Sequence, residues 1–509
     1  MTDGADDRPR TVVRRARRSS EGPERTEGTD PAQHSDTTQH SEATQQEGDP
    51  DRAGAPRPGA AGEGERPSLQ LGRAMWSVGG IAFGLRAIWV FLFVRVPGGD
   101  LLSDPFLYNA YALRFAAGRG YVSMVDLPTS YYPPGYPAFL GALYRLIDAL
   151  GLESQRGVLV GLTQALLWAV AAIAVGLTAR WAFRSNRVGV AAGLVLACWP
   201  NLITYASAWL SESLFVFLFA IGVAAITFTV RAPAGDRRRI GSVAIAAICF
   251  ALATMVRPQV LIGLPLLALA WLVGGIGWRR TLALAAAVGV AVAALVVPWS
   301  IRNEAVLGER VFISTNGGDN LCVGYHPRAR GGFAIPPYCD TGETRIDGVD
   351  AELRRNAQTR QLAIDYIRSE PQTLPWLAVK KLYWTFRTDD DGLRGNELYR
   401  DEDLMPQPWR AVWWVFTNTA YAAIMLGALG GVVVAAPRAW RERDPAVLGL
   451  LAFTLAGVMV PMVFFGDPRF KVPTTPLFAA FAALALTMLY DRFRGTGEQL
   501  DEPLSDRPS

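Results

Sequence analysis

Ten apolar stretches recur along this 509-residue chain, at about 74–96, 157–182, 187–205, 211–230, 240–256, 259–276, 280–299, 410–435, 446–465 and 473–490. Each holds roughly 17 to 25 residues, the length that crosses a bilayer core as a helix. Inside lipid no water pairs with the backbone, so a spanning segment must satisfy its own amides, as a helix does. The expected fold class is therefore an all-α polytopic membrane protein with about ten transmembrane helices. A mean hydropathy of +0.17 and a hydrophobic content of 50% agree with that.

Residues 1–73 are different in kind. They hold 11 Arg/Lys against 14 Asp/Glu and are rich in Gly, Pro, Ser, Thr and Gln. Such a segment buries too little apolar area to offset its ordering entropy, so a disordered tail is expected. It has no signal-peptide h-region. Orientation follows Lys/Arg in the short loops. With the N-terminus inside, the inner loops are FRSNR (183–187), RAPAGDRRR (231–239), GWRR (277–280), PRAWRERD (437–444) and DRFR (491–494), all arginine-rich. The expected organisation is a cytoplasmic tail (1–73), a bundle (74–299) with a first outer loop (97–156), an outer segment (300–408), further spans (409–490) and a cytoplasmic tail (491–509).

The first outer loop reads as two helices. DPFLYNAYALRFAAG places Phe106, Tyr108, Tyr111, Leu113 and Phe115 near one stripe, with Asp104 as an N-cap. YPPGYPAFLGALYRLIDALG starts after Pro133–Pro134. Both suit helices lying at the interface, where tyrosine is favoured. In the second outer segment VFIS reads as a strand and TNGGDN as a tight turn. DAELRRNAQTRQLAIDYIRSEP and LPWLAVKKLYWTF read as helices. A small α+β cap is expected. Cys198 and Cys249 fall in spans as small apolar packers. Cys322 and Cys339, 17 residues apart in an outer, oxidising compartment, either form a disulfide or remain two free thiols.

The available chemistry is narrow. Of three histidines, His34 and His40 lie in the tail, leaving His326. That excludes a histidine metal cluster and a Ser-His-Asp triad. No phosphate-cradling glycine loop stands at a strand-to-helix junction, so a nucleotide-driven pump or a Rossmann enzyme is excluded as well. Acid–base work must rest on carboxylates. Asp100 and Asp104 follow the first span, and Glu212 opens the fourth. Arg257, Arg302 with Asn303, and Asp467, Arg469 and Lys471 stand at the other outer junctions. Outer cations run against the positive-inside bias. A guanidinium fork grips phosphate, and a carboxylate takes a proton from an attacking hydroxyl.

Each residue also has a local explanation. Arginine beside a span snorkels to headgroups. Glu212 suits a helix N-terminus. Asp104 before Pro105 is a cap followed by an N1 proline, and local signals alone favour that reading. TNGGDN is a turn before it is an anion nest. Tyr108, Tyr131, Tyr132 and Tyr136 serve as interfacial anchors or line a sugar or prenyl path, anchors being the simpler reading. The functional case is the constellation.

The order of motifs resembles the bacterial members of the GT-C glycosyltransferases, the group that includes dolichyl-phosphate-mannose–protein mannosyltransferases and lipid A aminoarabinose transferases. The matching pieces are SDPFLYNAYALRFAAGRGYV, YYPPGYPAFLGALYRL, CWPNLITYASAWLSESLFVFL, ATMVRPQVLIGLP, VPWSIRNEAVLGERVFISTNGGDNLCVGYHP, AIDYIRSEPQTLPWLAVKKLYWTF and DPRFKVPTTPLFAAFAA, within about residues 75–490. The resemblance implies a multi-span enzyme of the cytoplasmic membrane with its active site on the outer face. It implies a polyprenyl-phosphate sugar donor and a lipid, glycan or protein acceptor, with no nucleic acid involved. It carries the catalytic base to Asp104 and a second acidic position to Glu212. Protein mannosyltransferases tend to have adjacent acidic residues in this loop, whereas here Pro105 follows Asp104. Asp100, Tyr108, Tyr132, Arg257, Arg302, Asn316, Lys380 and Arg469 are the candidate substrate-binding residues. No cofactor is expected, although Asp100, Asp104 and Glu212 offer a weak divalent-metal set. The rival classes are a transporter or flippase of lipid-linked sugars and a non-catalytic cell-envelope assembly protein. Transporters concentrate ionisable groups near the bilayer midplane within inverted repeats, and no such repeat is visible.

Overall fold

The structure, a computed structural model, describes residues 67–98, 103–233, 235–342, 348–397 and 403–495. Asp100 and nearly all of the 1–73 tail lie outside the described residues. Glu65–Ser509 forms one compact unit. In chain order its helices are α1 (Pro67–Phe93), α2 (Asp104–Ala116), α3 (Gly135–Ala149), α4 (Arg156–Phe183), α5 (Asn186–Ala197), α6 (Pro200–Thr204), α7 (Glu212–Arg231), α8 (Arg238–Val256), α9 (Val260–Val273) and α10 (Trp278–Leu307). There follow α11 (Gly317–Gly324), α12 (Val349–Ser369), α13 (Leu374–Phe386), α14 (Asp391–Glu397), α15 (Trp409–Glu442), α16 (Pro445–Val463) and α17 (Thr475–Arg494). A 3₁₀ segment, Pro468–Thr474, leads into α17.

The chain is a multi-pass membrane protein. Among the described residues eight helices, α1, α4, α7, α8, α10, α15, α16 and α17, are long and apolar enough to cross a bilayer. The other two expected spans fall on shorter apolar helices, α5 with 12 residues and α9 with 14. At 1.5 Å per residue these cover about 18 and 21 Å, less than a hydrocarbon core of about 30 Å. Proline explains both limits. Pro200 restarts the chain as α6, and Pro258 separates α8 from α9.

The break after α5 leaves irregular backbone inside the bundle, which is tolerated only where protein satisfies it. Arg86 of α1, fully buried, donates to the carbonyls of Ala197 at 2.9 Å and Leu196 at 3.3 Å. Gln164 of α4 donates to the carbonyls of Ala206 and Ala208, each at 3.1 Å. Trp89 reaches the Ser207 hydroxyl at 2.8 Å. The core is built around α4, which packs on α1, α5 and α7. By contrast α10 and α15 leave apolar side chains such as Leu282, Val290, Leu426 and Val433 uncovered. A lipid-facing helix has that pattern.

Three sequence expectations are corrected. First, the tyrosines of α2 and α3 are not exposed anchors. The two helices pack on each other, with α3 also against α4 and α8, and Tyr108, Tyr111, Tyr131, Tyr132, Tyr136 and Tyr144 are all buried. Gly141 permits the close approach, since a Cβ there would stand 2.6 Å from the Phe115 ring. Second, no strand forms among the described residues, which hold only two isolated bridges. VFIS stays irregular because side chains take its carbonyls. Asn303 donates to the Val311 carbonyl at 2.9 Å and Trp299 to that of Ile313 at 2.8 Å. Third, TNGGDN is not only a turn, because its glycines open α11. The regular structure described in 308–397 is thus helical, separated by irregular stretches such as 325–336. Cys322 and Cys339 are joined by a disulfide, with Cα atoms 6.0 Å apart.

Candidate active site

At the loop-rich end of the bundle, four charged side chains form an alternating chain. Asp104 is the first residue of α2, with Ser103 in the cap position and extended backbone there. The expected N-cap is therefore one residue earlier, and the Asp104 carboxylate has other partners. Its Oδ1 accepts from the Tyr132 hydroxyl at 2.5 Å. Its Oδ2 accepts from Nη1 of Arg469 at 2.9 Å. The Nε of Arg469 donates to Oε1 of Glu212, also at 2.9 Å, and Nη1 of Arg257 reaches the same oxygen at 2.6 Å. Arg257 also donates to the Ser211 hydroxyl at 3.2 Å.

Local structure delivers each member. Glu212 opens α7 after the irregular connection held by Arg86 and Gln164. Arg257 follows the last turn of α8, where Pro258 forbids helix and extends the backbone. Arg469 lies in the Pro468–Thr474 segment, whose entry is fixed by the Asp467 side chain accepting from the Arg469 amide at 2.9 Å.

The two carboxylates stand in different surroundings. The Glu212 side chain is 0% exposed, and its Oε2 is buried with no hydrogen-bond partner among the described residues. The Asp104 side chain is 33% exposed. Two guanidiniums alternate with two carboxylates, and Asp104 is the carboxylate of the pair that keeps an exposed edge. Arg469 leaves Nη2, and Arg257 leaves Nε and Nη2, without a hydrogen bond among the described residues. Those edges are free to grip an anion. Tyr108 packs beneath, its ring 4.7 Å from that of Tyr132. Burial, followed by the nearby Asp104 charge, raises its hydroxyl pKa well above the ordinary range.

The structure therefore brings together Asp104, Glu212, Tyr108, Tyr132, Arg257 and Arg469. Three other candidates are engaged elsewhere. Arg302 donates to the backbone carbonyls of Thr129 at 2.9 Å and Tyr121 at 2.6 Å, a bracing role. Asn316 precedes α11 without a side-chain cap bond and accepts from the Ser314 hydroxyl at 3.0 Å. Lys380 lies over the Trp376 ring at 5.8 Å. Among the described residues no group of three His, Cys, Asp or Glu side chains is placed to hold a metal ion. Between Asp104 and Glu212 the bridging position is already taken by the Arg469 guanidinium.

Sequence reasoning missed a second acid cluster behind the first. Lys471 Nζ lies 3.1 Å from Asp389 and 3.5 Å from Asp391. Trp199 and Asn201 donate to Asp389 at 2.7 and 3.0 Å, and the Tyr205 hydroxyl donates to Asp391. All six residues are buried. The run TDDDG gave no local signal of this, since aspartate is mostly exposed and is fully buried only when paired, and the partner Lys471 lies about 80 residues away.

No protein-family model matches the chain, and no curated protein does. Solved structures do. The oligosaccharyltransferase of Archaeoglobus fulgidus, tethered to an acceptor peptide containing the NVT sequon, superposes with a TM-score of 0.52 at 14% identity, over 84% of this chain and 51% of that one. The archaeal oligosaccharyltransferase AglB from the same organism, in complex with an inhibitory peptide and a dolichol-phosphate, gives 0.46 at 14% identity, over 86% and 52%. The chain has the GT-C fold. It spans about half the length of these neighbours. At this identity the likeness concerns the fold alone.

Proposed function

We propose that this chain is a membrane glycosyltransferase that moves a sugar from a polyprenyl-phosphate donor to an acceptor hydroxyl, with Asp104 as general base. The observation that carries the reading is the partly exposed Asp104 carboxylate, fixed by Tyr132 and Arg469 on a GT-C fold. The acceptor oxygen attacks the anomeric carbon as its proton passes to a carboxylate oxygen of Asp104. The bond from that carbon to the phosphate oxygen breaks, polyprenyl phosphate departs, and the configuration inverts. The unused edges of Arg257 and Arg469 stabilise the charge that develops on the leaving phosphate. Glu212, buried and doubly paired, holds the two arginines rather than moving a proton. The acceptor is a lipid, glycan or protein at the outer face of the cytoplasmic membrane, and the reading assigns no cofactor.

The test is a membrane assay with a polyprenyl-phosphate sugar, followed by release of free polyprenyl phosphate. Asp104→Asn is expected to lower the rate by about 10²- to 10⁴-fold, the usual worth of a positioned base, with unchanged membrane insertion. Full transfer by that variant would overturn the assignment. Movement of intact donor across the bilayer without phosphate release would favour a flippase instead.

A further inference from the structure

Four consecutive residues, Thr129 to Tyr132, connect the 308–397 segment to Asp104. Glu352, in the first turn of α12, is buried. Its Oε2 accepts from the Thr129 hydroxyl at 2.5 Å and its Oε1 from the Ser130 amide at 3.0 Å. The Thr315 hydroxyl adds a third bond at 2.6 Å. The Thr315 amide in turn donates to the Ser130 carbonyl at 2.9 Å. The Tyr131 hydroxyl donates to Asp319 of α11 at 2.8 Å, and Asp319 is held by Arg355 of α12 at 3.0 Å. Only the fourth residue turns the other way, with the Tyr132 hydroxyl on Asp104 at 2.5 Å. Its own carbonyl is pinned by the Tyr121 hydroxyl at 2.9 Å. All four residues are buried, so the strap has no solvent to absorb a shift.

We infer that Glu352 is a positioning residue, which through Thr129 and Ser130 sets the place from which Tyr132 orients the Asp104 carboxylate. The inference rests on the reading of Asp104 as base. Three donors converge on the two oxygens of Glu352. A glutamine keeps one oxygen for the Ser130 amide and the Thr315 hydroxyl, but its NH₂ forces the Thr129 hydroxyl to turn from donor to acceptor while that hydroxyl oxygen already accepts from the Tyr131 amide at 3.1 Å. Burial raises the Glu352 pKa, so the three bonds work against its desolvation and are not spare. At the far end, a hydrogen bond to the charged form of a carboxylate favours that form. Asp104 faces Tyr132 from the strap and Arg469 from the 3₁₀ segment. Glu212 of α7 lies beyond Arg469, and Tyr108 lies on α2 itself. Loosening Tyr132 therefore weakens a bond that aims the carboxylate and favours its charged form.

The experiment is a double-mutant cycle on the full-length protein in membranes, with Glu352→Gln, Tyr132→Phe and the pair, read as kcat and KM over pH. Tyr132→Phe is expected to lower kcat by about tenfold or more, as loss of a hydrogen bond to a charged group does. It should also move the acid limb of the kcat profile to higher pH. Glu352→Gln should move that limb the same way and lower kcat more than it changes KM. The pair should match Tyr132→Phe alone within about twofold, because coupled sites are not additive. Glu352→Asp should recover part of the loss. Additive losses, or lower protein yield with an unmoved acid limb, would make Glu352 a purely structural residue and overturn the inference. If Asp104→Asn retains full transfer, the base assignment fails first. If Glu352→Gln does not accumulate, hydrogen exchange of residues 126–134 in Tyr132→Phe decides: slow exchange equal to wild type supports a strap held from the α12 side. Faster exchange along the whole stretch counts against it.

Discussion

Arg469 and Lys471 stand two residues apart on one 3₁₀ segment and enter different acid clusters. Arg469 joins Asp104 to Glu212, and Lys471 joins Asp389 to Asp391. Successive residues of so tight a helix diverge by about a third of a turn, so residues two apart point to different sides. One short element therefore sets both the partly open group and the closed one behind it.

Arg469 separates activity from stability. Arg469→Met leaves Glu212 buried beside Arg257 alone and releases Asp104. It should destabilise the protein by about 3–5 kcal/mol, as breaking a buried pair does. Arg469→Lys keeps the charge but not the two-pronged geometry. It should retain most of the thermal stability in detergent yet lose transfer activity. Wild-type turnover by Arg469→Lys would remove Arg469 from the proposed site.

Lys471 has no exposed edge, so its variants should act on folding. Lys471→Met strands Asp389 and Asp391 and should cost about 3–5 kcal/mol of stability. Adding Asp389→Asn should restore part of that loss, a coupling that thermal unfolding of the four-member cycle measures. Strictly additive effects would mean that the ion pair is not what holds the 388–397 segment.

Lys381 carries a pH dependence of a definite sign. Buried on α13, it lies over the Tyr325 ring at 3.3 Å, and burial lowers its pKa to about 7. The unfolded value is about 10.4. Between those values the unfolded chain binds more protons, so stability rises with pH across that window and the full penalty applies below about 7. The melting temperature should increase from pH 7 to pH 9.5. In Lys381→Met that increase should shrink, and an unchanged increase would discount the buried amine.

The Cys322–Cys339 disulfide closes a loop 17 residues apart in sequence. Loop-closure entropy for that size corresponds to roughly 3 kcal/mol. Cys322→Ser should lower the melting temperature, and reductant should lower that of the wild type but not of the variant. Equal melting points with and without reductant in the wild type would show that the bridge adds nothing.

Much of this was legible in the chain. Apolar run lengths foretold a polytopic helical membrane protein, because lipid leaves the backbone no other way to satisfy itself. The helices α12 and α13 were readable from their periodicity, and Asp104, Glu212, Arg257 and Arg469 from charge at span ends. What one-dimensional reading could not supply was partnership. Arg302 looked like Arg257, yet one braces the carbonyls of Tyr121 and Thr129 while the other pairs with Glu212. VFIS has strand composition, but Trp299 and Asn303 take the carbonyls a ladder would need. The tyrosines of α2 and α3 suited an interface until helix packing buried them. Run length and hydropathy are local sums, so sequence by itself determined the class of fold. Which charge meets which is set by contacts between residues hundreds of positions apart, such as Arg469 with Asp104, and only the tertiary structure decides those.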